Sequence, residues 1–377
     1  MRIAWITAAP ISAIVGGGAT YSRSVFRVFE GLPQTPRLIE VPLRSRPMRL
    51  GHKLEQGMAF ARASLSKLPA KAKFQMPCGA VRALRRKIAA IEPDIAVLGS
   101  ADLLPCRAAL DGVPFVLIAH NVEQQLYEDQ VRAAMDRFRF GPAAWWLSRD
   151  LAKLRRMETE GVRAANLIIA VSRNDADTLQ ELGARSPVFV LPPTFPGPLP
   201  DHPRPAVERP LKLALVAKMT WWPNRKAVDW LAREVMTRLP SGTAELHLYG
   251  PGSERIADRK SGVFGHGFVP DLREVWRAGH IAVCPVHQGG GVNVKVAEAI
   301  FNGSPILATP HGLRGLPAMI SDPAVAVRGS SAEWIDFLQS NDAEDLASRT
   351  PKAETRMLFA DSAYVAPLGD ALARSHS

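Results

Sequence analysis

Short runs of continuous apolar residues alternate along this chain with longer segments of helical periodicity, and that alternation constrains the fold more than any other feature. Runs at 2–8, 36–41, 94–99 (Asp-Ile-Ala-Val-Leu-Gly), 114–119 (Pro-Phe-Val-Leu-Ile-Ala) and 167–171 (Leu-Ile-Ile-Ala-Val) have the length and composition of strands buried on both faces. Helix-like stretches fall between them at 19–31, 53–68, 79–91, 143–164 and 173–182. Strands that are apolar on both faces need cover on both, which helices supply in a parallel sheet. A second series follows, with strand 212–217, helix 224–238, strands 245–249 and 262–265, helix 271–277, strand 280–284, helix 292–301 and strand 305–308. Residues 192–210 separate the two series, hold eight of the chain's 31 prolines, and read as an extended linker. The expected architecture is α/β, with two Rossmann-like parallel-sheet domains facing across a cleft. The N-terminal domain spans 1–191 and the C-terminal domain 211–345, and a helical segment at 346–377 is placed to pack back on the N-terminal domain. A chain of 377 residues suits two such domains.

Composition removes several alternatives. Hydrophobic residues make up 47% and charged residues 22%, which excludes wholesale disorder, collagen and a disulfide scaffold. No stretch approaches the roughly 18 uninterrupted apolar residues of a membrane span. Cys78, Cys106 and Cys284 lie far apart with no C-x-x-C pair, a pattern suited to a reducing compartment and to no zinc cage. The apolar run from Met1-Arg2 to Val15 resembles a signal peptide, but Pro10 interrupts it, and Arg2–Ala8 reads better as a first buried strand.

Charge is concentrated. Residues 44–90 carry Arg44, Arg46, Arg49, Arg62, Arg82, Arg85 and Arg86 together with Lys53, Lys67, Lys71, Lys73 and Lys87, against the single acid Glu55. This stretch alone accounts for the formal net charge of +11. Such a surface implies an anionic partner, although a solvated helix face is the plain alternative. Nucleic acid is disfavoured, because Phe60 and Phe74 are the only aromatic stacking candidates and no recognition motif accompanies them. Met58, Phe60, Ala61, Leu65 and Leu68 interleaved with Arg62 and Lys67 are closer to an interfacial amphipathic helix on an anionic membrane surface.

Ligands of parallel sheets bind beyond the carboxyl ends of strands, which directs attention to the loops after 8, 119, 171, 217, 249 and 285. The strongest constellation runs from Pro285-Val-His-Gln through Gly289, Gly290, Gly291, Val292, Asn293, Val294, Lys295 and Glu298 to Gly303-Ser-Pro305-Ile-Leu-Ala-Thr309. A strand ending in a triple glycine that opens a helix offers unobstructed backbone N–H groups to a phosphate. Lys295 adds positive charge one turn in, and Glu298 stands where a carboxylate could accept hydrogen bonds from paired sugar hydroxyls.

This segment resembles the donor-nucleotide site of GT-B glycosyltransferases of the retaining, glycogen-synthase-like group 1 family, whose bacterial members often read G-G-G-x-x-x-K-x-x-E-A-x-x-x-G-x-P-V-V-A-T. The resemblance extends to Leu246-His-Leu-Tyr-Gly250-Pro-Gly252, Gly265-His-Gly-Phe-Val-Pro-Asp271-Leu, His120-Asn-Val-Glu123, Ala170-Val-Ser172-Arg173-Asn-Asp175 and Gly16-Gly17-Gly18. By position it implies that Glu298 binds the nucleotide ribose and that Gly289–Gly291 meets the diphosphate or donor sugar. Lys218 and Lys226 correspond to the family's two basic residues that stabilise the departing diphosphate, and His120 to its histidine near the donor sugar. Gly16–Gly18 would approach the donor phosphate or acceptor. It also implies a nucleotide-sugar donor and no obligatory metal or other cofactor. The sequence departs from the family at Gly290, where a second glutamate eight residues before Glu298 is common, and in the longer spacing from Lys218 to Lys226, filled by Trp221-Trp222-Pro223-Asn224. Asn224 is expected to act as a helix N-cap. Glu123 is expected either to orient His120 or to cap the helix that follows.

The expected function is retaining transfer of a sugar to a hydroxyl acceptor in bacterial surface glycan or glycolipid synthesis. The acceptor would be a glycan or lipid-linked, and the enzyme cytoplasmic and peripheral to the inner face of the membrane. No paired catalytic carboxylates of the glycosidase type stand out. Asp175-Ala-Asp177 is the nearest approach to a metal-binding D-x-D, and it falls in a predicted helix. Three alternatives remain: a nucleotide-sugar epimerase on the same fold, a binding-only member, and a NAD-dependent oxidoreductase. The last is weakened because Tyr21 occupies the final glycine position of G-x-G-x-x-G and no acid follows Val41.

Overall fold

The structure is a computed structural model and describes the chain apart from residues 14–15, 46–62, 138–141, 202, 205, 257, 317–320 and 376–377. Arg46, Arg49, Lys53, Glu55, Met58, Phe60, Ala61 and Arg62, and with them most of the expected helix 53–68, lie outside the described residues.

Two compact units form. The first comprises Met1–Leu191 and Tyr364–Ser377, the second Pro192–Ala363. In the first, β1 (Arg2–Thr7), β2 (Arg37–Pro42), β3 (Ile95–Leu98), β4 (Phe115–Ala119), β5 (Leu167–Ala170) and β6 (Val188–Val190) build one parallel sheet in the order β2-β1-β3-β4-β5-β6. Ile3, Ala4, Trp5 and Ile6 of β1 are completely buried, as a strand covered on both faces requires. Trp5 meets the rings of Phe26 and Phe29 edge-on at 5.0 and 5.1 Å. Those rings belong to the helix Gly17–Glu30, which buries Tyr21, Val25, Val28 and Phe29 at helical spacing.

In the second unit, β7 (Leu211–Val216), β8 (Ala244–Tyr249), β9 (Val263–Gly265), β10 (Ile281–Cys284), β11 (Ile306–Ala308) and β12 (Val325–Val327) pair in parallel in the order β12-β11-β10-β7-β8-β9. From β7 the chain first builds outward through β8 and β9, then crosses back to β10. The crevice between β7 and β10 is therefore the topological switch point of this sheet.

Three expectations need correction. The helix expected over 224–238 is α-helical only from Trp222 to Trp230; a π turn, Leu231–Val235, and a 3-10 turn, Met236–Arg238, complete it. The proline-rich stretch belongs to the second unit instead of spanning free between domains. Phe195 is buried and exchanges backbone hydrogen bonds with Phe359 and Asp361, and the Arg204 guanidinium donates to the carbonyls of Gly279 and His280. Prolines remove donors from this stretch, and these contacts satisfy part of what remains, although among the described residues Arg204 Nε has no partner. The C-terminal stretch also divides: residues up to Ala363 stay with the second unit, while the helix Ser362–Arg374 runs into the first, where Tyr364 meets Phe189 edge-on at 6.5 Å. The strands β6 and β12 and the helix Glu123–Arg137 were not anticipated. Both strands are three residues long, too short to show a period, and that helix is strongly polar.

Candidate active site

In the second unit the loops leaving β7 and β10 converge, because the two strands are adjacent and parallel. Lys218 stands exposed just beyond β7, and the helix Trp222–Trp230 begins four residues on. Asn224 is not its N-cap; Trp221 occupies that position, and Asn224 lies in the first turn. There its side-chain amide bridges the two loops, with Nδ2 donating to the Lys218 carbonyl at 3.1 Å and Oδ1 accepting from Lys295 Nζ at 3.0 Å. Lys226 Nζ donates to Gln288 Oε1 at 3.3 Å and lies 5.0 Å above the Trp222 ring. Lys226 and Lys295 thus bond to neutral amides, which leaves their charge uncompensated by these contacts.

The glycine loop differs from expectation in one respect. The helix begins at Val294, with Asn293 at the N-cap position, so Gly289–Gly291 precede the helix and do not form its first turn. Asn293 caps through no side-chain bond; its amide donates to the Gly312 carbonyl at 2.9 Å, and Val292 packs against the unit's core. Gly289 and Gly291 take φ of +124° and +72°, which favours glycine. The Gly289 carbonyl accepts from His311 Nε2 at 2.9 Å and from the Arg314 guanidinium at 3.0 Å, and these bonds aim the loop. Neither His311 nor Arg314 was singled out from sequence. Both lie in the loop that follows β11, and extending the strand-end rule to that loop finds them. At the end of β8, a Cβ on Gly250 would come 2.2 Å from the Ala217 carbonyl oxygen, so glycine alone permits the close approach of these two strand ends.

Glu298 is half-buried on the helix Val294–Phe301. Burial, with a smaller contribution from the Asp271 carboxylate, pushes its carboxyl up to about 7. Among the described residues no hydrogen bond or cation offsets the burial of this carboxyl.

In the first unit His120 follows β4 directly. Its Nε2 lies 3.3 Å from Ser22 Oγ, and its ring meets Tyr21 edge-on at 5.2 Å. Gly16 is the N-cap of the helix Gly17–Glu30, with φ of +114°, so Gly17 and Gly18 form its first turn. A Cβ at Gly18 would stand 3.5 Å from His120 Nδ1, which shows how closely this backbone approaches the imidazole. Burial holds the His120 pKa below its ordinary value, against the Glu123 carboxylate, which works in the opposite direction.

Glu123 neither bonds His120 nor caps its helix. Its carboxylate takes the Lys71 ammonium, whose Nζ is also 3.6 Å from Asp102. The helix Glu123–Arg137 is capped instead by Glu158, which accepts from the backbone N–H of Glu123 at 2.7 Å and of Gln124 at 2.9 Å. Burial raises Asp102 to about 6 and Glu158 to about 7. Lys71, Asp102 and Glu158 are site neighbours that sequence reasoning missed, because 71, 102 and 158 meet only through the fold.

Asp175 lies buried in the helix Arg173–Glu181, and Ser172 caps that helix by accepting from the Asp175 N–H and bonding the Asp175 carboxylate. Among the described residues no group of three His, Cys, Asp or Glu side chains could hold a metal ion. Of the basic segment, Arg82, Arg85, Arg86 and Lys87 stand exposed on the helix Ala80–Ile91, opposite buried Ala80, Leu84 and Ile88. Among the described residues no helix is long and apolar enough to cross a membrane.

The family models agree with this division. Residues 210–349 match the model described as glycosyl transferases group 1, and residues 15–195 match glycosyltransferase family 4. No curated protein matches the sequence. Among solved structures, HepE of Anabaena in complex with UDP is similar at 13% identity and a TM-score of 0.62, covering 99% of this chain and 100% of that one. Its UDP-glucose complex gives 14% and 0.62 with the same coverage. TarM is similar at 13% identity and 0.57, over 78% of this chain and 58% of its own. With glycosyltransferase models matched in both units, and two Rossmann-like sheets of the kind those structures share, the protein is a glycosyltransferase of the GT-B fold.

Proposed function

We propose that the protein transfers a sugar, with retention and without an obligatory metal, from a nucleotide diphosphate sugar to a hydroxyl acceptor. The observation that carries this reading is the meeting of Lys226 and Lys295 with a glycine loop at the switch point between β7 and β10, with Lys218 exposed just beyond β7. Lysines held by neutral amides keep their full charge for an anion, and glycine backbone leaves room for one. The diphosphate would sit here, with the ribose hydroxyls donating to Glu298. In the transfer step the bond from the sugar's anomeric carbon to the diphosphate oxygen breaks, and the diphosphate leaves with the electron pair. The acceptor oxygen bonds the same carbon from the same face, and its proton passes to the leaving phosphate. Preorganised cations stabilise the charge that develops on the diphosphate, the usual route to a large rate effect. His120, whose pKa burial lowers, would contact the donor sugar, with Gly16–Gly18 supplying backbone close to the phosphate or acceptor. The HepE complexes make UDP and UDP-glucose the first ligands to test.

The exposed cations of the helix Ala80–Ile91 favour a peripheral site of action on an acidic membrane face, with a lipid-linked acceptor of surface glycan synthesis. A screen of nucleotide diphosphates by thermal stabilisation tests the donor assignment. A cognate ligand at about 100 times its Kd should add about 2.7 kcal/mol. If no nucleoside diphosphate stabilises the protein, the donor site is misassigned. Transfer or hydrolysis of the stabilising nucleotide sugar separates an enzyme from a binding-only protein.

A further inference from the structure

The first unit contains a cavity of about 910 Å³ that no part of the donor chemistry uses. Its volume falls in the range of sites for small ligands, about 300–1,000 Å³. Leu68, Met76, Val81, Leu104 and Met157 supply apolar lining, and Leu65, 95% exposed, stands at its edge. Among the described residues, five cations, Lys67, Lys73, Arg107, Lys153 and Arg156, stand around this lining, and the only lining acid is Glu160. Glu160 is already engaged by Arg107 at 3.4 Å and Arg156 at 2.8 Å, and Lys153 donates to the Ala63 carbonyl at 2.7 Å. Among the described residues the positive charge of Lys67 and Lys73 is not met by any carboxylate of the cavity wall. Gly79, in the left-handed conformation, begins the helix Ala80–Ile91 here without a side-chain cap, so its first N–H groups add to the positive potential.

A cavity with an apolar wall and a cationic rim fits neither a free anion, which would leave the apolar surface wet, nor a neutral hydrocarbon, which would leave the cations unmatched. We infer that it binds a single-chain amphiphile with a phosphate head, its aliphatic chain against Leu68, Met76, Val81, Leu104 and Met157 and its phosphate at Lys67 and Lys73. The inference deepens the proposed function, on which its biological sense rests: such a molecule is the lipid end of a lipid-linked acceptor. The cavity also adjoins the start of the helix that carries Arg82, Arg85, Arg86 and Lys87, so a chain drawn from an acidic membrane face would enter beside the surface that meets it.

Titration of the whole protein with farnesyl phosphate below its micelle concentration, followed by calorimetry, tests this. Saturable binding is expected, and the double variant Lys67→Glu, Lys73→Glu should weaken it by about tenfold or more. Farnesol should bind at least about tenfold more weakly than farnesyl phosphate. Val81→Asp, which places a charge against the chain, should weaken farnesyl phosphate binding as well. UDP binding, measured on the same samples, should stay at the wild-type value in all variants and so reports an intact fold. Inorganic phosphate binding as tightly as farnesyl phosphate would overturn the inference, as would equal binding by wild type and double variant, or an acidic peptide that competes for the same residues more tightly than the lipid. Farnesyl phosphate binding without any UDP binding supports the cavity and removes only the donor assignment. UDP binding without farnesyl phosphate binding removes only the cavity.

Discussion

Beside His120 the ionisable groups pair with one another, although among the described residues Asp102 Oδ1 has no hydrogen-bond partner, whereas at the switch point of the second sheet two lysines bond to amides. Lys71 answers Asp102 and Glu123, and Glu158 answers the N-terminus of a helix. Lys226 and Lys295, in contrast, touch Gln288 and Asn224. The difference assigns the tasks. A network of paired charges fixes the position of its members, while cations held by neutral amides beside glycine backbone suit an anion. The first arrangement should fail mainly as structure and the second mainly as function.

Lys218→Ala should show the largest effect and the purest functional one. If the lysine acts on the departing diphosphate, kcat falls by about 10²–10³ with little change in KM and none in thermal stability. An effect confined to KM would make it a ground-state binding residue. Lys71→Met breaks the comparison from the other side, since it leaves two buried carboxylates without their cation. Fully buried pairs lose about 3–5 kcal/mol in this way. The Lys71 side chain is 40% exposed, so solvent screening lowers the expected loss to about 2–3 kcal/mol. Denaturant unfolding that matches wild type would show that the network contributes nothing to stability.

Glu298→Ala should weaken nucleotide binding by about 1.5–3 kcal/mol, the worth of hydrogen bonds to a charged group, with the fold intact. Unchanged affinity would falsify the ribose assignment. The sign of its pH dependence follows from the raised pKa of about 7. In the ligand-free protein the carboxyl is protonated below that value, so its stabilising contribution is present at low pH and declines as pH rises through it. If the ionised form accepts the ribose hydroxyls as proposed, nucleotide affinity should climb over the same interval and stay flat in Glu298→Gln. Calorimetric titrations at a series of pH values read both. His120→Ala should have the smallest effect, about tenfold on transfer, with free-nucleotide affinity unchanged. Parallel loss of nucleotide binding would move His120 from the sugar to the nucleotide.

Much of the fold was legible because a strand buried on both faces must be continuously apolar. Ile95–Leu98, Phe115–Ala119 and Leu167–Ala170 could hardly be read otherwise. The glycine loop and Glu298 were legible as well, since they follow one another along a single strand, loop and helix. His311, Arg314, Lys71 and Glu158 were not, because each reaches its partner across a gap in sequence that only strand adjacency closes. Asn224 marks the boundary between the two kinds of knowledge. Local preference alone pointed to an N-cap, but the parallel pairing of β7 with β10 sets Lys295 within its reach and makes it a bridge. The sequence by itself determined most of the strands, the two sheets they build and where the glycine loop lies, since these follow from side-chain burial and glycine freedom over a few consecutive residues. Tertiary structure alone decided which charges are compensated, because compensation depends on distances between residues that local propensity leaves unset.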